Sequence, residues 1–413
     1  MSLVVPFRAL RPGKPYVREV AAPPYDVLNV AEARRLVAAH PLSFLRVEKS
    51  EIDVPDATGV EDCRIYDRAK ASLEEMIRRE ILVREATPAF YLYRLRMGDR
   101  LQTGIVACVS IADYEAGLIR RHELTRPDKE RERAYNIDTV GAQTGLVFLT
   151  YRGREAIDRL TKRLMTGQPE YDFTAGDGVT HTVWIVREPA EIREVAEGFA
   201  SVDALYIADG HHRAAAAARV AHLRQARNPG GGGDGAHRLL MAALFPEDQV
   251  RIMDYNRIVR DLNGLSPEAF LQRVGERFFV SAGFTGKSPV REHEFGMYLG
   301  GAWYHLATSG RILLSDDPIA RLDVSILQGH LLGPVLGIGD QRTEARIEFV
   351  GGIRGMAELE KLVDRTGFAV AFSLYPPTVE QMMAVADAGK VMPPKSTWFE
   401  PKLLSGLFVH LLE

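Results

Sequence analysis

Asp209-Gly210-His211-His212-Arg213 stands between an apolar run, VDALYIA, and an alanine-rich one, AAAAARVAHLRQAR. A strand that delivers an acid, a glycine, two imidazoles and a guanidinium to the first turn of a helix builds a site for an anion. The free N–H groups and the positive dipole end of that turn favour phosphate, Gly210 lets a ligand approach the backbone, and Arg213 supplies a bidentate fork. Asp209 is suited to holding Mg²⁺ or to accepting a proton from a hydroxyl. Neighbouring helix residues point about 100° apart, so His211 and His212 are poorly placed to share one metal, and one faces a ligand while the other packs. The blander reading is that Asp209 caps the helix and Arg213 makes a surface ion pair. His-His-Arg where a helix meets its sheet sacrifices apolar packing, which tips the balance toward function.

A second cluster runs from His122 to Glu130, with Arg131 and Arg133 beyond it. Glu123 is a candidate general base, and Arg126 and Lys129 offer positive charge to a phosphorylated ligand. The competing reading is a solvated helix face, but Pro127 interrupts that helix and leaves His122 and Glu123 outside it. A third candidate is the turn Pro393-Pro394-Lys395-Ser396-Thr397, where Lys395 and Ser396 present an ammonium and a hydroxyl for phosphate or carboxylate. It is not a P-loop, because Gly389-Lys390 is followed by Val391 and Lys395 is preceded by prolines. Asp26 in Pro23-Pro24-Tyr25-Asp26 could line a site, although a turn aspartate accounts for it as well. Neither G-x-S-x-G nor H-E-x-x-H occurs, and no G-x-G-x-x-G follows a strand, so hydrolase elbows, zincins and dinucleotide sites have no motif support.

These residues need elements to position them. The central pattern reads as strand, tight turn, alanine-rich helix and second strand, a unit of the kind that builds α/β sheets with right-handed crossovers. Asn29 with Glu32, and Thr378 with Gln381, have the spacing of capping boxes, which predicts helices starting at about 30 and 379. FYLYRLRM and LQTGIVACVSI around Gly98-Asp99 predict a β-hairpin, SFLRVEK a short strand, and Gly230 to Gly233 a flexible connector. With 413 residues, two domains are expected: residues 1–247, carrying the strand-turn-helix motif, and a C-terminal α/β unit over 248–413. The fold class is α/β, in the sense of an α+β mixed sheet.

Composition narrows the function. Lys and Arg number 52 against 55 Asp and Glu, a net charge of −3, which argues against a general nucleic-acid binder. Two cysteines, Cys63 and Cys108, form neither a disulfide framework nor a zinc motif, so a reducing cytoplasm is the expected location. No stretch approaches the roughly 18 apolar residues of a membrane span. The partners expected are a small-molecule substrate and a phosphoryl donor, with a homo-oligomer left open.

Six blocks, AAPPYDV, SFLRVEKSEIDVP, LQTGIVACVSIADY, HELTRPDKERERAYNI, YIADGHHRAAAA and MPPKSTWFEPK, occur in this order. Together they resemble the bacterial and archaeal family catalogued as domain of unknown function 1015, from about residue 5 to the C-terminus. ADGHHR is similar to the D-G-H-x-R signature of the ParB and sulfiredoxin-like fold, in which a strand-to-helix turn binds nucleotide phosphates. Free-serine kinases, sulfiredoxins and CTP-dependent partition proteins belong to that superfamily. The resemblance implies a ParB/sulfiredoxin-like core, with Asp209, His211, His212 and Arg213 on the phosphate motif and Glu123 as the match for the kinase base. Sulfiredoxin chemistry needs a cysteine where Gly210 and His211 stand, and the partition proteins add a helix-turn-helix unit not found in this sequence. The expectation is therefore a phosphotransferase, a small-molecule kinase using Mg²⁺ with ATP, ADP or pyrophosphate on a hydroxylated metabolite, foremost free L-serine. The alternative is a non-catalytic, nucleotide-responsive binding or regulatory protein.

Overall fold

Gly98 takes a positive φ of +61° and closes a turn in which Met97 faces Arg100, so Phe90–Met97 and Arg100–Ser110 run as an antiparallel hairpin. In the computed structural model, which describes residues 4–57, 59, 61–227, 235–308, 312 and 315–412, this hairpin lies within a mixed sheet. The Gly230–Gly233 connector expected from the sequence lies outside the described residues. The strand order is Ile119–Arg120, Leu205–Asp209, Val147–Tyr151, Leu239–Pro246, Arg100–Ser110, Phe90–Met97, Thr180–Val186, Tyr171–Thr174. Val4–Val5 adds to Arg100–Ser110.

The central strand-helix-strand unit departs from the expected crossover. Leu205–Asp209 and Leu239–Pro246 do not pair; Val147–Tyr151 lies between them, antiparallel to the first and parallel to the second. A right-handed crossover joins strands that run the same way, and these two run in opposite directions. SFLRVEK is also not a strand. Phe44, Leu45, Val47 and Glu48 are all buried, and Leu45–Glu48 forms a single helical turn. Burial on every side removes the two-faced environment that strand propensity presupposes. Both capping boxes form, Asn29 with Glu32 ahead of Val30–Ala39 and Thr378 with Gln381 ahead of Val379–Asp387.

Contacts divide the chain into two units, Met1–Val250 with Pro401–Glu413, and Arg251–Glu400. The terminal segment, which the sequence expectation grouped with the C-terminal unit, returns to the first, where His410–Leu411 pairs with Ala142–Gln143. The second unit carries an antiparallel sheet ordered Phe278–Ala282, Ala302–Thr308, Glu294–Leu299, Val370–Leu374, Tyr255–Val259, Ile347–Gly351. Met356–Arg365 packs on it through Leu359, against Ile258, Tyr298 and Ala371. Among the described residues no helix is long and apolar enough to cross a membrane.

His181 shows how tightly the first sheet is packed. Its ring is fully buried, stacked on Phe173 at 5.5 Å, with Nδ1 2.7 Å from the Tyr93 hydroxyl and Nε2 without a partner among the described residues. Burial pushes its pKa from 6.5 down to about 4. The folded value lies below the unfolded one, so this stability is present above about pH 6.5 and is lost as the pH falls toward 4. The difference is worth about 3 kcal/mol. His181→Gln, neutral throughout, is expected to flatten the loss of urea resistance between those two pH values; an unchanged slope would exclude His181 as its source.

Candidate functional site

The strand Leu205–Asp209 ends in a turn that only glycine fits. Gly210 has φ +97°, and a Cβ there would lie 3.4 Å from Val147 Cα. The helix His211–Arg227 starts at the next residue. Ala214, Ala217, Ala218 and Ala221 bury one face of it against the sheet, and Ala216 and Val220 bury another against Ala134 and Ile137 of the helix Pro127–Val140. Spacings of three and four put each set on one face, and alanine lets the backbone approach on both sides. This double packing fixes the helix N-terminus, and with it the direction of each side chain in its first turn.

Arg213 leaves that turn toward a buried charged cluster. Its Nη1 donates to the Leu146 carbonyl at 3.0 Å, Nη2 lies 3.7 Å from Asp26, and the guanidinium sits 5.3 Å from the Tyr25 ring. Arg133 covers the same ring at 3.9 Å. Glu48 and Arg213 both border Gly145, where a Cβ would stand 2.8 Å from Glu48 Oε1 and 3.1 Å from Arg213 Nε. The Thr144 hydroxyl donates to Glu48 Oε1 at 3.2 Å and the Ser405 hydroxyl donates to Oε2. Burial pushes the Glu48 carboxyl up, against the opposing pull of Arg213, Ser405 and Arg133.

Glu48, Arg133 and Asn136 line two cavities. One also holds Tyr25, Thr144 and Arg213, and the other, of about 270 Å³, also holds Ser50 and Tyr66. Arg133 gives Nη1 to the Glu48 carbonyl at 3.3 Å and Nη2 to Glu132 at 2.8 Å. Its Nε is buried with no hydrogen-bond partner among the described residues.

On the other side of the turn, Lys402 Nζ lies 2.9 Å from Asp209 Oδ2. Burial raises the Asp209 carboxyl, but Lys402 and Arg213 outweigh it and hold the group ionised, well below the usual carboxylate range. His211 is buried with its ring edge-to-face on His122, centroids 4.6 Å apart. Burial, reinforced by His122, holds His211 well below the ordinary histidine value, and burial lowers His122 to about 4. His212 Nε2 accepts the Arg126 backbone N–H at 3.0 Å, so the two adjacent histidines do serve different neighbours.

Of the residues singled out in sequence, the structure brings Asp209, Gly210, His211, His212, Arg213 and Glu123 to one corner of the first unit. Arg126 pairs with Asp128 at 2.8 Å and Lys129 with Glu132 at 2.7 Å, both cations being about half exposed or more. Lys395 and Ser396 belong to the second unit. There the Lys395 carbonyl accepts Arg257 Nη2 at 3.0 Å, and the Ser396 hydroxyl donates to the Pro393 carbonyl at 2.6 Å. Tyr25, Glu48, Arg133 and Lys402 were not expected at the site, nor His122 as the partner of His211. Tyr25, Glu48 and Lys402 sit in the PPYDV, FLRVEK and FEPK stretches, and their place in the blocks that carry the family resemblance is the sequence signal they carry.

The fold is mixed α/β, and the strand-to-helix turn at Gly210 lies in the same unit as the buried Glu48 carboxyl. The chain belongs to the family described as Protein of unknown function (DUF1015), whose model matches residues 4–325. No curated protein matches it. Among solved structures it is similar to a free serine kinase in complex with AMP, at 12% identity and a TM-score of 0.34, covering 71% of this chain and 86% of that one. It is also similar to a conserved hypothetical protein from Pyrococcus furiosus, at 12% identity and a TM-score of 0.36, covering 74% and 95%. A third is SbnI with C-terminal truncation from Staphylococcus aureus, at 12% identity and a TM-score of 0.38, covering 74% and 87%.

Proposed function

We propose that this protein moves a phosphoryl group between a nucleotide or pyrophosphate donor and a small hydroxylated metabolite, with free L-serine as the leading acceptor. The observation that carries this reading is that Arg213 and Glu48 both border Gly145, which sets a guanidinium near a buried carboxylate. Phosphoryl transfer asks for positioning and charge neutralisation more than for covalent chemistry.

In this reading the N–H groups of the His211–Arg213 turn and the Arg213 fork take the donor's phosphates. The acceptor lies in the cavity lined by Arg133, whose positive charge suits a carboxylate such as that of an amino acid. Its volume of about 270 Å³ fits a metabolite, since drug-sized ligands occupy roughly 300–1,000 Å³. Glu48 takes the hydroxyl proton, the acceptor oxygen bonds to phosphorus, and the bond from phosphorus to the leaving phosphate breaks. In this reading the base is Glu48 instead of Glu123, because Glu48 lies near Arg213 while Glu123 stands with two imidazoles. Mg²⁺ takes oxygen ligands and is held by one or two carboxylates together with substrate phosphates. Asp209 fits as that single carboxylate, being ionised with one oxygen on Lys402, and Mg²⁺ there would offset phosphate charge.

Phosphorus NMR of the protein with Mg²⁺, L-serine and each of ATP, ADP and pyrophosphate tests the reading. A new phosphomonoester resonance with loss of donor is the expected result. A nucleotide that binds and stays unchanged over hours identifies the regulatory alternative, and no binding of any donor overturns both.

A further inference from the structure

His122 and His211 come from segments 89 residues apart, yet their rings meet beside Glu123. One ligand atom from each of the three side chains lies within 4.8 Å of the others. From this geometry we propose that His122, Glu123 and His211 hold a divalent transition-metal ion of zinc's class. The site goes beyond phosphoryl transfer and does not depend on it.

The donor set decides the class of ion. Two imidazole nitrogens with one carboxylate oxygen suit zinc, cobalt or iron, whereas Mg²⁺ takes an all-oxygen octahedron. Both imidazoles are buried, and Glu123 is half-buried, which gives the ion an approach and leaves a coordination position open to solvent or a ligand. The His122 ring bonds to the Ile207 carbonyl, the kind of backbone partner that fixes the orientation of a metal-bound imidazole. The His122 backbone N–H donates to His211 Nε2 at 3.4 Å, a long bond that an ion at Nε2 displaces. Both rings feel the Asp209 carboxylate, which favours a cation between them and, being paired with Lys402, acts from outside the ligand set.

The test uses full-length protein stripped with EDTA and titrated with Co²⁺. Visible d–d bands saturating at one equivalent, bleached by Zn²⁺ and untouched by excess Mg²⁺, are the expected result. Glu123→Gln, at the half-buried position, and His122→Ala are each expected to weaken Co²⁺ affinity by at least about 10-fold and to abolish the rise in Tm that Zn²⁺ gives the wild type. His222→Ala, a surface imidazole beside Glu115, is expected to leave the bands intact. Circular dichroism of the metal-free variants separates ligand loss from misfolding, and Glu123→Gln decides alone if His122→Ala does not fold. Absence of the bands in wild type, or bands of undiminished affinity in Glu123→Gln, overturns the site and identifies a buried histidine pair that only packs.

Discussion

Replacing Arg213 with alanine is expected to lower kcat/KM for phosphoryl transfer by about 100- to 1,000-fold, the usual effect of removing one preorganised donor from a developing charge. Burial pulls the Arg213 guanidinium down, but Asp26, Tyr25 and Glu48 outweigh it and keep the group firmly charged. Only Nη1 is committed to a backbone carbonyl at close range, and Nη2 is 3.7 Å from the half-exposed Asp26 carboxylate. A phosphate oxygen entering beside the helix N-terminus competes for that second arm. Truncation also leaves the buried Glu48 carboxyl and Asp26 without a nearby compensating charge, so alanine confounds folding with catalysis. Arg213→Lys separates the two, because it retains the charge and loses the planar fork. The lysine variant is expected to unfold near the wild-type temperature, to bind nucleotide more weakly by calorimetry, and to turn over at least about 10-fold more slowly. Unchanged turnover and affinity in Arg213→Lys would remove Arg213 from the site.

How much of this site could be read from the sequence follows from how local each feature is. The DGHHR turn is legible because it lies at one junction, where an apolar run meets an alanine-rich one and glycine alone fits the backbone. The capping boxes and the Gly98-Asp99 hairpin are legible for the same reason, being contained within a few residues. Glu48 is hidden because the residues around it favour a strand, while its environment comes from Thr144, Arg213 and Ser405, between 96 and 357 residues away. Lys402 is hidden because Pro401–Glu413 belongs to the first unit although it follows the second in the chain. The adjacent histidines have different neighbours, Arg126 for His212 and His122 for His211. Their divergence is what lets His211 meet His122, a pairing that no local spacing announces.

Glu48→Gln is expected to lower turnover by about 100- to 10,000-fold, the range for loss of a general base, with nucleotide affinity preserved. The substitution is close to isosteric, and its local hydrogen bonds are recoverable. The Thr144 and Ser405 hydroxyls both donate to the carboxylate, and a hydroxyl rotates to accept from an amide N–H where it formerly donated. Burial raises the folded pKa of Glu48 above its unfolded value, so its contribution to stability is full below the unfolded pKa and is lost as the pH rises through the folded one. Glutamine is neutral at every pH and does not incur that loss. The Tm of Glu48→Gln is therefore expected to match wild type in acid and to gain on it as the pH rises, while the acidic limb of the kcat/KM profile disappears. A purely structural role predicts a different pair of results, with Tm falling and the limb retained. If Glu48→Gln keeps both full activity and the wild-type pH profile, Glu48 is not the base, and Glu123→Gln becomes the variant that must abolish turnover for a carboxylate mechanism to stand.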